Sequence, residues 1–155
     1  MDSFDLTPQI DAICAKYPDA YRSPDALREL SELWGGVDCN DGGVILTREV
    51  IKIELQGNPR WRGEIRLADA PNGRWAMSTS YDYSTGGGGG APSVWNRRAY
   101  ANRDAAITAG LTNLVELFED VRDWPSATEG EARLAGRMVE QLANHQHQSK
   151  QLTLF

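Results

Sequence analysis

The sequence predicts an α+β fold in which an antiparallel meander of three to four strands is covered on one face by helices. Between residues 50 and 83, apolar residues alternate with polar ones, which is the two-residue period of half-buried strands. Before and after this segment, apolar residues recur every three or four positions, the period of amphipathic helices. The predicted order of elements is therefore ααβββαα.

Two short helices are predicted before residue 40. Proline is favoured in the first helical turn, where its missing N–H costs no hydrogen bond, so Thr7-Pro8 and Ser23-Pro24 each indicate a helix start, with Thr7 as the first N-cap. Gly35-Gly36 ends the second helix. Apolar residues at helical spacing follow each start: Ile10, Ile13, Cys14 and Tyr17 in the first helix, and Leu27, Leu30 and Trp34 in the second.

Three strands follow, separated by the turn sequences Gly57-Asn58-Pro59 and Pro71-Asn72-Gly73. One face of the predicted sheet is apolar, and the other is polar and rich in arginine, as expected when helices cover one side only. The apolar face carries Ile51, Ile53, Leu55, Trp61, Gly63, Ile65, Leu67, Trp75, Met77, Thr79, Tyr81 and Tyr83. The polar face carries Lys52, Arg62, Arg66, Arg74, Ala76, Ser78, Ser80 and Asp82.

Two further helices are predicted after residue 100. Asn102 is a suitable N-cap for a long helix over about residues 103–123, which ends before Trp124-Pro125. Its apolar stripe consists of Ile107, Leu111, Leu114, Phe118 and Val121. Either Ser126 with Glu129 or Thr128 with Glu131 forms a capping box for the last helix, which carries Leu134, Met138 and Leu142.

A chain of 155 residues suits one domain, predicted over residues 1–143, followed by a flexible tail over residues 144–155. The start of the sequence has neither the basic region nor the apolar core of a signal peptide, and no apolar run reaches the length of a membrane span. Cys14 and Cys39 lack metal-type spacing and are expected to be free thiols. These features predict a cytoplasmic protein with no membrane partner, and they leave its oligomeric state open.

The net charge of −6 is unevenly distributed along the chain. Residues 48–103 hold nine basic and five acidic side chains, whereas the segments on either side are acidic. Basic residues interleave with tryptophans here, a pattern that suits DNA or RNA because guanidinium groups contact phosphates and rings stack on bases. The candidate nucleic-acid or anion-binding residues are Lys52, Arg62, Arg66, Arg74, Arg97 and Arg98. The alternative is a solvated face whose arginines pair with Glu54 and Glu64.

Five consecutive glycines, Gly86, Gly87, Gly88, Gly89 and Gly90, lie between the strands and the long helix. They lack the Gly-Lys-Ser/Thr ending of a phosphate-binding loop, and no parallel βα unit surrounds them. Five glycines without side chains hold no defined backbone by themselves. They are expected to form a mobile connector or, alternatively, a loop that becomes ordered over a ligand.

The sequence contains no recognisable enzyme signature. Its two histidines, His145 and His147, lie in a polar segment without further metal ligands nearby, and no nucleophile–histidine arrangement can be assembled. We therefore expect a non-enzymatic protein with no catalytic residues, metal or cofactor.

The last five residues, Gln151, Leu152, Thr153, Leu154 and Phe155, form an apolar segment after a polar spacer over residues 144–150. Ordering a flexible tail costs conformational entropy for each residue, so a docking peptide must concentrate its binding energy in a few side chains. Two leucines and a phenylalanine meet this requirement, and Gln151 adds directional hydrogen bonds. The alternative is that Leu152, Leu154 and Phe155 fold back onto the core of their own domain.

This segment resembles the peptide by which bacterial replication and repair proteins dock on the sliding clamp, the beta ring of DNA polymerase III. Peptides of that family run Gln-Leu, a small polar residue, then Leu-Phe. Four of the five positions match the strongest form of the pattern, and Thr153 stands where serine or aspartate is more usual. The resemblance covers the tail alone, and no family is recognised for residues 1–143.

Two functions follow from these features. The resemblance implies an accessory protein that docks on the clamp through residues 151–155 and acts in DNA replication or repair, a role suited to a phage or plasmid protein. The alternative is a small binding module that holds an oligonucleotide, a nucleotide or a host protein, for example as an anti-defence inhibitor. That module would use the arginine-rich sheet face and the glycine segment.

Overall fold

The computed structural model describes residues 2–46 and 48–153, with the backbone alone for residues 149–153. The predicted α+β class is confirmed. The strands are β1 (Ser3–Asp5), β2 (Glu49–Leu55), β3 (Asn58–Asp69), β4 (Trp75–Tyr83), β5 (Gly86–Gly89) and β6 (Arg98–Tyr100). The helices are α1 (Thr7–Lys16), α2 (Pro24–Leu33), α3 (Arg103–Asp123) and α4 (Glu129–Thr153), with a short 3₁₀ turn over Ala20–Arg22.

The strands form one antiparallel sheet with the order β1-β6-β4-β3-β2, and β5 pairs with the far end of β4. The predicted meander corresponds to β2, β3 and β4. Three strands were not predicted, namely β1, β5 and β6. Strands β1 and β6 have three residues each, too few to show a period, and pair through backbone groups far apart in sequence, such as Phe4 with Ala99.

The chain divides into two compact units. Unit 1 comprises residues 1–49, 66–78 and 91–106, and unit 2 comprises residues 50–65, 79–90 and 107–155. The boundary falls inside β3, β4 and α3, so each of these elements contributes residues to both units.

The core of unit 1 is formed by α1, α2 and small residues of the sheet. Ile10, Leu30 and Trp34 are fully buried, and the Trp34 Nε1–H donates to the Val94 carbonyl oxygen at 3.1 Å. Ala68 and Ala76 belong to the same core. The alternation pattern placed Ala76 on the polar face, and its complete burial corrects that assignment. The reason is that α1 and α2 cover this part of the sheet with apolar side chains, for which alanine leaves room.

Unit 2 is built around the close packing of α3 on β3. Leu114 and Phe118 of the predicted stripe are fully buried, as is Trp61. Glycines allow the close approach: a Cβ at Gly63 would lie 2.8 Å from Leu114 Cδ1, and one at Gly110 would lie 2.7 Å from Ile65 Cγ2. The Trp61 and Phe118 rings are tilted against each other with centroids 6.2 Å apart.

The caps follow the predicted chemistry in three of the helices. Ser23 Oγ accepts from the Ala26 N–H, and Asn102 Oδ1 accepts from the Ala105 N–H at 2.8 Å. Of the two capping boxes, the one formed by Thr128 and Glu131 is present. In α1 the predicted N-cap Thr7 is instead the first helical residue, because the carboxylate of Asp5 already accepts from the Thr7 N–H.

Helix α4 continues through residues 144–153, where a flexible polar spacer was predicted. That prediction is corrected. The segment lacks glycine and proline, and it contacts α3 within the same unit: Gln146 Nε2 donates to Thr112 Oγ1 at 3.1 Å. His145 and Gln148 also line a cavity of about 270 Å³ whose floor includes Ile53, Ile65 and Leu111. Among the helices of the described residues, none combines the length and apolar character needed to cross a bilayer.

Candidate functional site

Residues 151–153 of the predicted docking segment form the last residues of α4. The backbone of Gln151, Leu152 and Thr153 is helical, while the side chains of these three residues and the whole of Leu154 and Phe155 lie outside the described residues. The predicted docking role of these five residues therefore stays a prediction.

The described part of α4 that leads to this segment is largely exposed. Leu142 is fully buried, but Ala143, Asn144, His147 and Gln148 are exposed to solvent. Leu142 is thus the last fully buried side chain described in α4, and beyond it Gln146 is half-buried through its hydrogen bond to Thr112.

Carboxylates pair with Arg62 and Arg97, two of the basic candidate residues. Arg62 Nε lies 2.7 Å from Asp82 Oδ2, and Arg97 Nη1 lies 2.8 Å from Asp11 Oδ1. The hydrogen bond to Asp82 raises the pKa of Arg62, and the bond to Asp11 raises the pKa of Arg97. These arginines carry a local counter-charge in exposed ion pairs, which an anionic ligand would have to displace.

Arg74 and Arg98 contact an aromatic ring and a hydroxyl group. The Arg98 guanidinium donates to Ser3 Oγ at 3.0 Å, and the Arg74 guanidinium lies 4.0 Å from the centre of the Phe4 ring. Lys52 is exposed and lies at the rim of the cavity lined by His145 and Gln148, and Arg66 is half-buried.

These basic residues are divided between the two units. Lys52 and Arg62 belong to unit 2, whereas Arg66, Arg74, Arg97 and Arg98 belong to unit 1. On the predicted polar face, the Glu64 side chain lies near Arg62 and the residue is only 7% exposed. Nucleic-acid binding by the six residues stays a prediction.

The glycine segment is a strand. Gly86–Gly89 forms β5, in which Gly88 lies opposite Tyr81 and Gly86 lies opposite Tyr83. The prediction of a mobile connector is therefore wrong. A Cβ at Gly88 would meet the Tyr81 ring at 3.4 Å, so this ring lies beside the exposed glycine strand. Binding of a ligand by residues 86–90 stays a prediction.

An exposed aromatic pair was missed by the sequence reasoning. The rings of Tyr21 and Trp95 stack with centroids 4.4 Å apart and planes 25° apart. Trp95 precedes Arg97 and Arg98, so this member of the pair belonged to the basic and aromatic pattern seen in the sequence. Tyr21 lies in a 3₁₀ turn of three residues, which is too short to show a periodic pattern.

Comparisons with protein-family models, with curated proteins and with solved structures give no match for this chain. Within the described residues, no group of three or more metal-ligating side chains is close enough to hold an ion.

Proposed function

We propose that this chain is a non-enzymatic accessory protein that docks on the bacterial DNA sliding clamp through residues 151–155. The observation that carries the proposal is the match of Gln151, Leu152, Leu154 and Phe155 to the clamp-binding peptide. The exposed approach of α4 beyond Leu142 supports it, because a docking peptide has to be accessible to its partner.

The expected chemistry is that of a short anchored peptide. The two leucines and the phenylalanine would each contribute roughly 1.5–3 kcal/mol on burial in preformed pockets. Ordering the peptide opposes this gain, so micromolar affinity is expected. The Gln151 amide would fix the register of the peptide through hydrogen bonds, and Thr153 would face outward.

The direct test is a titration of a bacterial sliding clamp with a peptide of residues 150–155, measured by calorimetry or fluorescence anisotropy. We expect Leu152→Ala and Phe155→Ala each to weaken binding by at least roughly tenfold, because truncated anchors leave pockets unfilled. Thr153→Ala serves as the matched control and should change the affinity by less than about twofold.

The full chain should co-elute with the clamp on a sizing column, and a chain lacking residues 151–155 should not. A scrambled peptide of the same composition controls for non-specific apolar contact. Absence of binding at high micromolar peptide would contradict the proposal. Retention of clamp binding by the truncated chain would show that another surface makes the contact.

A further inference from the structure

Tyr21 is an unusually exposed aromatic residue for a folded chain. It is 73% exposed, although its ring stacks at 4.4 Å on the half-buried ring of Trp95. One face of the Tyr21 ring is therefore covered by Trp95 and the other faces solvent. The Tyr21 ring is thus held flat against Trp95 while its other face stays accessible to a further ring.

Trp95 is held firmly in unit 1. Its backbone N–H donates to Ser93 Oγ at 3.1 Å, and its side chain packs against the core of that unit. Gly43 lies directly against the indole, since a Cβ at Gly43 would come within 2.9 Å of Trp95 Cδ1. The indole is thus a rigid support for the ring stacked on it.

The turn that carries Tyr21 is also fixed. Asp19 adopts a left-handed backbone conformation with φ of 55°, and its carbonyl oxygen accepts from the Arg22 N–H at 3.0 Å. Ala20 anchors the turn in the core at 8% exposure. Aspartate tolerates this conformation better than most residues, but a held left-handed residue still stores strain, which is concentrated at functional positions in proteins.

Two guanidinium groups accompany the ring. Arg22 follows Tyr21 in the chain, with a side chain 87% exposed and a long contact of 3.9 Å to Asp19. Arg97 follows Trp95 by two residues in the chain, and its Nη1 lies 2.8 Å from Asp11 Oδ1. Both ion pairs are exposed and therefore weak, so an incoming phosphate can compete with the carboxylates.

We propose that Tyr21, supported by Trp95, is a stacking platform for a nucleobase, with Arg22 and Arg97 contacting the phosphate attached to it. The free ring face accepts a third flat ring of any base, which makes the site tolerant of sequence. The guanidinium groups disfavour a cationic ligand and favour an anionic one. The ligand chemistry is shared by single-stranded nucleic acid and a free nucleotide, and the site is independent of residues 151–155.

In the test, a fluorescein-labelled oligo(dT) of twelve nucleotides is titrated with the full-length chain at low salt, and binding is followed by fluorescence anisotropy. No clamp is present. Tyr21→Ser should weaken binding by roughly tenfold or more, as loss of a base-stacking ring does. Tyr21→Phe keeps the ring and should stay within about twofold of the unaltered protein. Leu46→Ser is the matched surface control, because Leu46 is an exposed apolar residue of unit 1 at 61% exposure.

Competition identifies the source of the nucleotide. Unlabelled dTMP and unlabelled oligo(dT) compete with the labelled oligonucleotide at the same total nucleotide concentration. If dTMP displaces the label as well as oligo(dT) does, the site binds free nucleotides. If only oligo(dT) displaces it, the site binds single strands. Arg97→Gln should lower both the affinity and its salt dependence, because one phosphate contact is lost.

Three results would overturn the proposal. The first is no detectable binding of either oligo(dT) or dTMP at low salt. The second is equal competition by duplex DNA, whose bases are not available for stacking. The third is full binding by Tyr21→Ser together with loss of binding by Arg62→Gln, which would assign the contact to the sheet face. Circular dichroism of each variant checks that the fold is retained.

Discussion

The carboxylate of Glu49 and the guanidinium of Arg103 form a bidentate ion pair in unit 1. Arg103 Nε lies 2.7 Å from Glu49 Oε1, and Arg103 Nη2 lies 3.0 Å from Glu49 Oε2. This hydrogen bonding lowers the pKa of Glu49 from its ordinary value of 4.5. It joins the first residue of β2 to the first residue of α3, two elements far apart in sequence.

This pair makes the stability of the protein depend on pH. A carboxyl whose pKa is lowered in the folded state stabilises the protein above its ordinary pKa and loses that effect as the pH falls through the folded value. Both side chains are over 40% exposed, so we expect Glu49→Gln to lower the free energy of unfolding at pH 7 by less than about 1 kcal/mol.

Urea denaturation at pH 7 and at about pH 3 measures this effect, since the stabilisation is lost progressively as the pH falls from the ordinary pKa of the carboxyl through its folded pKa. The difference between the two proteins should shrink at low pH, and it should also shrink in 0.5 M salt at pH 7 because salt screens exposed charges. A difference that is the same at both pH values would show that the glutamine acts through packing instead of charge.

At the scale of elements, the contact between α3 and β3 depends on glycine. Replacing a helical glycine with alanine gains about 1 kcal/mol of helix propensity, whereas overpacking a core costs about 1–3 kcal/mol. At Gly110 the second effect should dominate, because the new Cβ would meet Ile65 Cγ2 at 2.7 Å. We expect Gly110→Ala to lower the free energy of unfolding by up to about 2 kcal/mol.

Gly136 in α4 offers the matched control. A Cβ there would meet only Arg122 Cδ, at 3.9 Å, which is an ordinary contact. Gly136→Ala should therefore raise the free energy of unfolding by up to about 1 kcal/mol. Urea denaturation of both variants measures the two changes. Equal stabilisation by both substitutions would show that α3 and Ile65 move apart to accommodate the new methyl group at Gly110 without loss of stability.

The strand β5 shows an element formed without any side-chain signal. Its four residues are exposed glycines, and it is ordered by backbone pairing with β4, from Ser80 opposite Gly89 to Tyr83 opposite Gly86. The Tyr83 ring also packs edge-on against Trp124, with centroids 5.7 Å apart. The tyrosines of β4 therefore contact both the glycine strand and Trp124, the residue that follows α3.

At the scale of the whole molecule, the docking segment should be dispensable for folding. Leu142 is the last buried residue of α4 among those whose side chains the structure describes. A chain lacking residues 151–155 loses none of the described core, so its thermal midpoint should lie within about 2 °C of that of the full chain. Differential scanning calorimetry measures this.

The same truncation then separates stability from binding. If the truncated chain keeps its midpoint and loses the clamp, the tail acts as a ligand and not as part of the core. A fall of many degrees would show instead that Leu152, Leu154 or Phe155 packs on the domain, which was the alternative interpretation of the tail.

Much of the fold follows from local patterns in the sequence. The four-and-three spacing from Ile107 to Val121 predicted α3 with its observed bounds, and Asn102 was identified as its cap. Alternation predicted the central strands and the burial of Trp61. Such patterns predict structure because apolar residues recur along the buried face of a helix or strand with the period of that element. The information therefore lies within one segment of the sequence.

The remainder depends on contacts between distant segments. Short strands such as β1 and β6, and the glycines of β5, are held by backbone hydrogen bonds, which every residue type except proline can donate, so no side chain marks them. Ala76 is buried because α1 and α2 cover it, and Tyr21 meets Trp95 only after unit 1 has folded. Local patterns thus predicted the main helices and the central strands, while the docking role of residues 151–155 stays a prediction. The short strands β1, β5 and β6 and the stacking of Tyr21 on Trp95 depend on tertiary structure, because pairing and packing between distant segments leave no periodic trace in a single segment.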